Sequence, residues 1–503
     1  MTTGLYKKGL VLAIIGLFIG ASVIPVISGN NNFNGPPEKE WDKTFGGSDG
    51  DSAYCVQQIN DGGYILTGNT YSYGAGRLDC WLVKTDSSGN KLWDKTFGGT
   101  DDDAAYCVQQ TNDDGYILSG FTGSYGAGNA DCWLVRTDSS GNKLWDNTYG
   151  GTDDEAARCV QQTNDGGYIL TGDTDSFGAG NADCWLVRTD SSGNKLWDKT
   201  YGGTEWDCAY CVQQTNDGGY ILTGETFSYG AGVNDCWLVK TDSSGNKLWD
   251  KTFGGTDDDA AYCVQQTNDD GYIVAGSTRS YGAGESDFWL IKTDSSGNKL
   301  WDKTYGGIYG DHANCVQQTN DGGYILAGGT TSYGAGDGDF WLIKTDSSGN
   351  KLWDKTYGGI YGDHANCVQQ TNDGGYILAG STGYLWGVED YDVWLVKLSS
   401  ESDEDIIIEI HGGFRVSADI TNTGSETLTD VNWSIDLDGG LILAGEHTEG
   451  VIDEFAPGAT TTIRQTTLYG IGMTTITVTA GDATEQATGF ILGPLVLGVK
   501  EIS

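Results

Sequence analysis

The stretch TDSSGNKLWDKTYGG, residues 345 to 359, decides the fold because it marks the end of a repeat that fills most of the chain. TDSSGNKLWD occurs six times, and its second half occurs once more near the front, as WDKTFGG from Trp41. The tryptophans that mark these copies are spaced by 52 residues: Trp41, Trp93, Trp145, Trp197, Trp249, Trp301 and Trp353. A fixed period of this kind predicts an array of seven similar repeats.

Each repeat contains four short segments typical of β-strands. In the first repeat they are AYCVQQI (53 to 59), YILTGNT (64 to 70), CWLVKTD (80 to 86) and KLWDKTF (91 to 97). The first two are joined by NDGG and the last two by SSGN, and both sequences are glycine turn signals. We name the strands a, b, c and d in chain order.

The order of strands at the two ends of the array predicts a closed ring. The chain starts with a d strand (40 to 45) and ends its last repeat at strand c, with Val393 and WLVKLSS (394 to 400). A four-stranded sheet with two apolar faces needs a similar sheet on each side. If the first strand pairs with the last, no edge is left open. We therefore predict an all-β chain whose residues 40–398 form a seven-bladed β-propeller closed by its N-terminal strand.

The same residues resemble known propeller families. YILTG, a DCWLV strand and a second tryptophan twelve residues later resemble kelch repeats, although kelch has Gly-Gly where this chain usually has one glycine. The run from Asp86 through Gly89 to Trp93 resembles the turn and docking tryptophan of quinoprotein propellers, with one residue fewer before the glycine. The overall pattern is similar to repeat-bearing exported propellers of prokaryotes. This resemblance implies a fold and leaves the activity open.

The composition limits the partners of the chain. Its 503 residues include 28 Lys plus Arg against 70 Asp plus Glu, a formal charge of -42. Such a charge repels nucleic acid phosphates and favours a soluble monomer that binds cations or neutral polar ligands. Lys7 and Lys8 precede an apolar run, so residues 1–29 are expected to be a signal peptide or an N-terminal membrane anchor. We expect an extracellular or cell-surface location, with membrane contact only through this segment.

The repeat ends before the C-terminus. Residues 30–39 and 399–405 are polar linkers, and residues 406–503 contain alternating runs such as FRVSADI and VNWSIDL, separated by turn residues. About a hundred residues of this kind predict an immunoglobulin-like β-sandwich.

Twelve cysteines raise the question of disulfides. Seven occupy one site on strand a, and four occupy a site on strand c where other repeats have Phe288, Phe340 and Val393. The twelfth, Cys208, forms a lone C-x-x-C with Cys211, and this spacing on a strand places the two side chains on opposite faces, which makes a zinc site improbable without a second pair. Strands a and c are separated by strand b and so lie roughly 9–10 Å apart, which is too far for a disulfide. We expect buried free thiols, with bridges between neighbouring blades as the alternative.

Two carboxylates recur in every repeat, represented by Asp51 before strand a and Asp79 before strand c. In a propeller the loops that carry them share one face, the mouth. They could form a cation site, for which calcium is the candidate, or they could fix their loops by accepting backbone N–H bonds. We favour the second interpretation, because both carboxylates occur in all seven repeats.

The repeats differ mainly in the loops of the mouth, which indicates a recognition surface. Aromatic rings beside Asp and Asn are typical of carbohydrate sites. His312 and His364 are equivalent residues of adjacent repeats and could share a metal ion, although a third ligand is missing. The candidate ligand-binding residues are Trp206, Tyr309, His312, Tyr361, His364, Trp386, Tyr71 and Phe121.

The sequence therefore predicts an exported or cell-surface binding or adhesion protein, with carbohydrate or a cell-surface protein as its partner. We expect no enzymatic activity and no cofactor other than the calcium considered above. The alternatives are a propeller enzyme, either a quinoprotein or a polysaccharide-cleaving one, and a structural component of the cell envelope.

Overall fold

The computed structural model describes residues 36–384, 391–401, 406–422, 427–456, 458–481 and 483–501. The chain divides into two compact regions, with the boundary between Asp405 and Ile406. The described secondary structure consists of β-strands. Within the described residues, no helix is long and apolar enough to cross a membrane. The N-terminal apolar segment, for which a signal peptide or anchor is expected, lies outside these residues.

The described part of the N-terminal region contains 28 strands. In chain order they are β1 (Lys39–Phe45), β2 (Asp51–Gln58), β3 (Tyr64–Thr70), β4 (Asp79–Thr85), β5 (Lys91–Phe97), β6 (Asp103–Gln110), β7 (Tyr116–Thr122), β8 (Asp131–Thr137), β9 (Lys143–Tyr149), β10 (Glu155–Gln162), β11 (Tyr168–Thr174), β12 (Asp183–Thr189), β13 (Lys195–Tyr201), β14 (Asp207–Gln214), β15 (Tyr220–Thr226), β16 (Asp235–Thr241), β17 (Lys247–Phe253), β18 (Asp259–Gln266), β19 (Tyr272–Thr278), β20 (Asp287–Thr293), β21 (Lys299–Tyr305), β22 (Asp311–Gln318), β23 (Tyr324–Thr330), β24 (Asp339–Thr345), β25 (Lys351–Tyr357), β26 (Gly362–Gln370), β27 (Tyr376–Tyr384) and β28 (Asp392–Leu398).

These strands form repeated four-stranded antiparallel sheets, as in a β-propeller. Six sheets consist of consecutive strands a, b, c and d, from β2-β3-β4-β5 to β22-β23-β24-β25. A further sheet has the order β1-β28-β27-β26 and so combines the two ends of the region. In it Thr44 pairs with Trp394 and Phe45 with Val393. The predicted pairing of the first strand with the last c strand is therefore confirmed.

The a strands surround a common axis. Each a strand contacts the a strand of the next sheet, and β26 contacts β2, so that these contacts form a closed circuit. Side-chain hydrogen bonds follow the same circuit. The Gln57 side-chain oxygen accepts a bond from the Gln110 backbone N–H at 2.7 Å, and Gln369 does the same for Gln58 at 2.6 Å. The glutamine pair at the end of every a strand thus joins neighbouring sheets.

Apolar clusters fill the spaces between consecutive sheets. In one cluster, Cys80 and Leu82 of the first sheet pack against Val108, Leu118 and Trp133 of the second. Burial on both faces explains why strands b and c have no polar alternation. The strand-c tryptophan also donates a hydrogen bond to the aspartate of the Trp-Asp pair on strand d, as in Trp133 to Asp146 at 3.2 Å.

The C-terminal region contains two sheets. Its strands are β29 (Ile406–His411), β30 (Gly413–Phe414), β31 (Ser417–Asn422), β32 (Leu428–Asp438), β33 (Leu441–Ala444), β34 (His447–Phe455), β35 (Thr460–Arg464), β36 (Tyr469–Ala480), β37 (Ala483–Gly493) and β38 (Leu495–Glu501). One sheet has the order β29-β31-β35, and the larger has the order β30-β38-β37-β36-β32-β34, with β33 on β36. Ile408 and Ile420 of the smaller sheet share one apolar core with Ile435, Ile476 and Ile491 of the larger.

Candidate ligand-binding site

The loops between strands d and a and those between strands b and c lie on one face, as predicted. Within a repeat, the Tyr71 N–H donates to the Gly50 carbonyl at 3.0 Å, which joins the two loop types. Between repeats, the Asp103 N–H donates to the Leu78 carbonyl at 2.8 Å. These backbone bonds connect the loops into a continuous surface around the axis, which we call the mouth.

The recurring carboxylates stabilise these loops. The Asp103 carboxylate accepts bonds from the Gly99 N–H at 2.8 Å and the Ser124 hydroxyl at 2.6 Å. The Asp131 carboxylate accepts bonds from the backbone N–H groups of Ala127 and Gly128 at 2.9 and 3.0 Å. Both side chains are buried. The loop-fixing interpretation is therefore confirmed, and these carboxylates lend no support to a calcium site.

A glycine separates the carboxylates of neighbouring repeats. A Cβ atom on Gly98 would lie 2.2 Å from the Asp79 carboxylate and 2.7 Å from that of Asp103. Burial, together with the charge of Asp103, raises the pKa of Asp79 even though the Gly76 N–H donates to it. The two carboxylates are thus close enough to influence each other, and only a residue without a side chain fits between them.

In each of the first six repeats one aromatic residue stands at the rim of the mouth; the equivalent segment of the last repeat lies outside the described residues. The Tyr73 ring packs 5.5 Å from the ring of the buried Trp81, and its hydroxyl donates to the Gly46 carbonyl at 2.6 Å. About two fifths of Tyr73 remains exposed, at 40%. Equivalent contacts hold Tyr125, Tyr229, Tyr281 and Tyr333. The rim therefore presents aromatic rings whose positions are set by the fold.

Four of the candidate residues lie in the loops of the mouth, as expected. Tyr309 and Tyr361 are 52% and 46% exposed. Trp206 is half-buried, and its ring meets that of Phe227 edge-on at 5.6 Å. Tyr71 is half-buried beside Gly50. Trp386, another candidate, lies outside the described residues.

Phe121 was predicted to lie in a loop, but it is part of strand β7. It is equivalent to Asn69, two residues before Tyr71, because the loop begins only after Thr122. Its ring is 6.1 Å from that of Tyr106. Phe121 nevertheless borders the mouth, where it lines a cavity of about 740 Å³ together with Arg77, Asp102 and Asn129.

His312 and His364 are also on strands and not in loops, as the second residue of β22 and the third residue of β26. Both residues are exposed to solvent. Desolvation by the surrounding residues still lowers the pKa of both side chains, so that the neutral form predominates at pH 7. The His364 ring occupies space left by Gly329, whose Cβ atom would lie 2.8 Å from its Nδ1. Among the described residues, no three His, Cys, Asp or Glu side chains converge to hold a metal ion. The shared metal site therefore gains no support.

A set of residues that the sequence analysis missed faces the common axis of the a strands. We call the space around this axis the central channel. These residues occupy the position after the alanine of strand a, where the pairing of strands a and b shifts register between Ala53 and Cys55. The extra residue of such a β-bulge leaves the ladder and its side chain is redirected. In the seven repeats this residue is Tyr54, Tyr106, Arg158, Tyr210, Tyr262, Asn314 and Asn366.

Five of these residues form an aromatic arc around one side of the channel. The rings of Tyr54 and Tyr106 are 5.3 Å apart, and those of Tyr210 and Tyr262 are 5.2 Å apart. The Arg158 guanidinium lies 4.8 Å from the Tyr106 ring centre, an arrangement typical of cation–π contact. We name residues 54, 106, 158, 210 and 262 the aromatic arc.

Polar side chains of strand b support the arc. Arg158 pairs with Asp173 at 3.1 Å, and the Tyr210 hydroxyl bonds to Glu225. Burial raises the pKa of Glu225, although hydrogen bonds from Tyr210 and Asn234 oppose this rise. These contacts hold the phenol and guanidinium groups in place at the channel wall.

The other side of the channel is different. The Asn314 amide donates to the Ala365 carbonyl at 2.8 Å, and the Asn366 amide donates to the Ala53 carbonyl at 2.8 Å. His312 and His364 lie on the same two strands, two residues earlier. The channel wall is therefore asymmetric, with aromatic residues on one side and His and Asn on the other.

A signal for these residues was present in the sequence. Positions 53, 55, 56, 57 and 58 are Ala, Cys, Val, Gln and Gln in every repeat, whereas position 54 changes. Position 52 changes as well, from Ser52 in the first repeat to His312 and His364 in the last two, so both residues that flank the constant alanine vary. A variable residue beside constant ones indicates a side chain that the core does not specify. The register shift that points it into the channel was visible only in the structure.

No protein-family model matches the chain, and no curated protein matches it. Among solved structures, a fungal alcohol oxidase of the AA5 family in complex with copper is similar at 11% identity and a TM-score of 0.46, over 93% of this chain and 99% of that one. A protein of unknown function from Dyadobacter fermentans is similar at 12% identity and a TM-score of 0.40, over 72% and 99%. YCF48 bound to D1 peptide is similar at 9% identity and a TM-score of 0.40, over 74% and 100%.

Proposed function

We propose that this chain is an exported or cell-surface binding protein, a monomer in which a seven-bladed β-propeller recognises a neutral polar ligand at its mouth. The proposal is based on the asymmetry of the channel wall. A ring of identical repeats offers seven equivalent positions, but here the arc and the His–Asn side differ, so that one ligand can bind in one orientation. The C-terminal region, as an immunoglobulin-like β-sandwich, serves as a spacer or attachment module.

The chemistry of the wall and rim favours carbohydrate as the ligand. The exposed rings of Tyr73, Tyr309 and Tyr361 offer flat apolar surfaces for sugar faces. The hydroxyls of the arc and two neutral histidines offer donors and acceptors for sugar hydroxyls. The net charge of -42 disfavours anionic ligands, which leaves neutral glycans as the preferred class.

Binding to a panel of neutral oligosaccharides tests this proposal. We expect Tyr309→Ala and Tyr361→Ala to weaken binding about tenfold each, since exposed aromatic anchors dominate such interfaces. Tyr106→Ala should have a similar effect if the ligand enters the channel. The matched controls are Leu92→Ala and Leu248→Ala, which remove exposed apolar side chains from strand d, 56% and 58% exposed. Equal affinities in all variants would remove the mouth from the proposal.

A further inference from the structure

Seven cysteines form a second feature of the channel, separate from the arc. They occupy one position of strand a and are Cys55, Cys107, Cys159, Cys211, Cys263, Cys315 and Cys367. All are free thiols of intermediate exposure. The strand-c cysteines Cys80, Cys132, Cys184 and Cys236 are also free, but they are at most 2% exposed. We name the first set the thiol ring.

Contacts between neighbouring repeats link the members of this ring. The Cys55 thiol donates to the carbonyl of Val108, the residue after Cys107, with a sulfur–oxygen distance of 3.5 Å. The same contact recurs around the axis at 3.5 to 3.7 Å. Cys367 completes the circuit through the carbonyl of Val56 at 3.6 Å.

These contacts also set the order of the thiols. Each acceptor carbonyl belongs to the residue that follows the next cysteine, so every ring thiol lies against strand a of the next repeat, beside the cysteine of that repeat. Each thiol of the ring therefore has a neighbour on either side.

We propose that the thiol ring binds soft d¹⁰ metal ions of the Cu(I) class, each held between the sulfurs of two neighbouring cysteines. Thiolate is the ligand that such ions prefer. A metal–sulfur bond of about 2.3 Å, as in zinc thiolate sites, places two sulfurs about 4.6 Å apart across a linear centre. Each ring sulfur already lies 3.5 to 3.7 Å from the carbonyl that follows its neighbour, and rotation of the cysteine side chains is the movement that would bring two sulfurs to this separation.

The same geometry argues against a zinc site. Structural zinc requires four ligands in a tetrahedron. Within the described residues, no group of three or more His, Cys, Asp or Glu side chains converges. Neighbouring pairs around a circuit supply two ligands at a time, which suits an ion that accepts linear coordination.

Packing alone does not account for the ring. At the strand-c position, cysteine is replaced by Phe288, Phe340 and Val393, so an apolar group of another size is tolerated there. At the ring position all seven repeats have cysteine. The ring position is also partly exposed, where a small apolar residue contributes less to the core.

The odd number of thiols sets the expected stoichiometry. Seven members of a circuit form at most three separate neighbouring pairs, so one thiol remains. Each monovalent ion that binds a pair releases two protons, because both thiols become thiolates and no electron is transferred. The silver ion, Ag(I), is a redox-stable probe of this chemistry.

The test uses the full chain, reduced and free of added thiol, titrated with silver nitrate. We expect three silver ions per chain by native mass spectrometry, ultraviolet thiolate-to-metal absorption, and two protons released per ion in unbuffered solution. Saturation below two ions, or one proton per ion, overturns the proposal. These measurements need no variant.

Two triple variants provide a sharper comparison, because both leave four ring thiols. Cys107→Ala, Cys159→Ala and Cys211→Ala together remove adjacent members and leave two neighbouring pairs. Cys107→Ala, Cys211→Ala and Cys315→Ala together remove alternating members and leave one pair. We expect two silver ions in the first variant and one in the second; equal numbers contradict binding between neighbours. Replacing the four strand-c cysteines by valine and Cys208 by alanine should leave the count at three.

Discussion

Trp93 lies against Gly141, the left-handed glycine of the DSSGN turn in the next repeat. A Cβ atom on Gly141 would lie 2.6 Å from the Trp93 ring, and its φ angle is 75°. The same relation recurs between Trp41 and Gly89, with 2.4 Å to the ring. Each of these tryptophans therefore packs under the DSSGN turn of the following repeat. It does not pack under the turn that precedes it in its own repeat.

Gly141→Ala should destabilise the N-terminal region by about 2–5 kcal/mol. Left-handed backbone costs a non-glycine residue about 1–2 kcal/mol, and overpacking against Trp93 adds about 1–3. Gly166→Ala is the matched control, since its φ angle is 87° and a Cβ atom there would have no other atom within 4 Å. This control should lower the free energy of unfolding only by the cost of left-handed backbone, about 1–2 kcal/mol. Equal losses in denaturant titrations would show that the contact with Trp93 contributes nothing.

The closing strand β1 can be tested through Asp42. Its carboxylate accepts a bond from the Trp394 indole N–H at 3.0 Å, and Asp198 accepts the equivalent bond from Trp185 at 3.1 Å. Asp42→Ala and Asp198→Ala should each cost about 1–2 kcal/mol, as expected for hydrogen bonds to a partly exposed charged group.

Only the change at Asp42 should loosen β1. This strand is joined to its neighbour β28 by pairing and not by a turn, so weakened pairing lets it separate. Hydrogen–deuterium exchange of residues 39–45 should be faster in Asp42→Ala than in Asp198→Ala. Unchanged exchange at β1 would indicate that the ring is held by other contacts.

The histidines of the channel should make the fold sensitive to mild acid. Desolvation lowers the pKa of both His312 and His364, and the neighbouring charged groups are Asp311, Arg279 and Asp363. A depressed pKa in the folded state means that stability is present above the ordinary value of about 6.5 and is lost as the pH falls below it. The melting temperature should therefore fall between pH 7 and pH 5. His312→Gln with His364→Gln should reduce this fall; a fall of the same size would assign it to other groups.

A separate loss of stability is expected at lower pH. It comes from ion pairs near the turns that lie opposite the mouth. Lys240, whose side chain is 4% exposed, pairs with Asp217 at 2.9 Å. Although burial opposes it, hydrogen bonds from Thr215 and Lys240 lower the pKa of Asp217 to about 2. The resulting stability is present above about pH 4 and is lost as the pH falls towards 2.

Asp217→Asn should remove this contribution at pH 7, by about 0.5–1 kcal/mol, because the carboxylate is more than half exposed and therefore screened. The variant and the parent chain should converge in stability near pH 2. A difference that persists there would mean that the amide disturbs the NDGG turn itself.

Much of the fold could be predicted because the repeat is long and regular. The period of 52 residues and the glycine turns specified the four strands of each sheet. The d strand that precedes the first complete repeat specified the pairing of β1 with β28. In the first repeat strands b and d have the predicted bounds, and strands a and c differ by one or two residues at their ends; the opening d strand β1 begins one residue earlier than predicted, at Lys39. Loop-fixing by Asp103 was likewise predicted from its recurrence.

The candidate site was predicted less completely. Tyr309 and Tyr361 lie exposed in the mouth, but Phe121, His312 and His364 are on strands, and the aromatic arc was missed. A strict alternation of side chains would place Tyr54 according to its neighbours, and the bulge breaks that alternation. Side-chain direction at a bulge depends on the partner strand, which a single segment does not specify.

The sequence by itself determined which residues are repeated, and therefore which strands form and how the ring closes, because turn geometry and apolar burial act on each repeat in the same way. Tertiary structure alone decided which side chains meet across repeats. The ring contact of Tyr54 with Tyr106 and the circuit from Cys55 to Cys367 join residues 52 or more positions apart, and only the curvature of the ring brings them to a common axis.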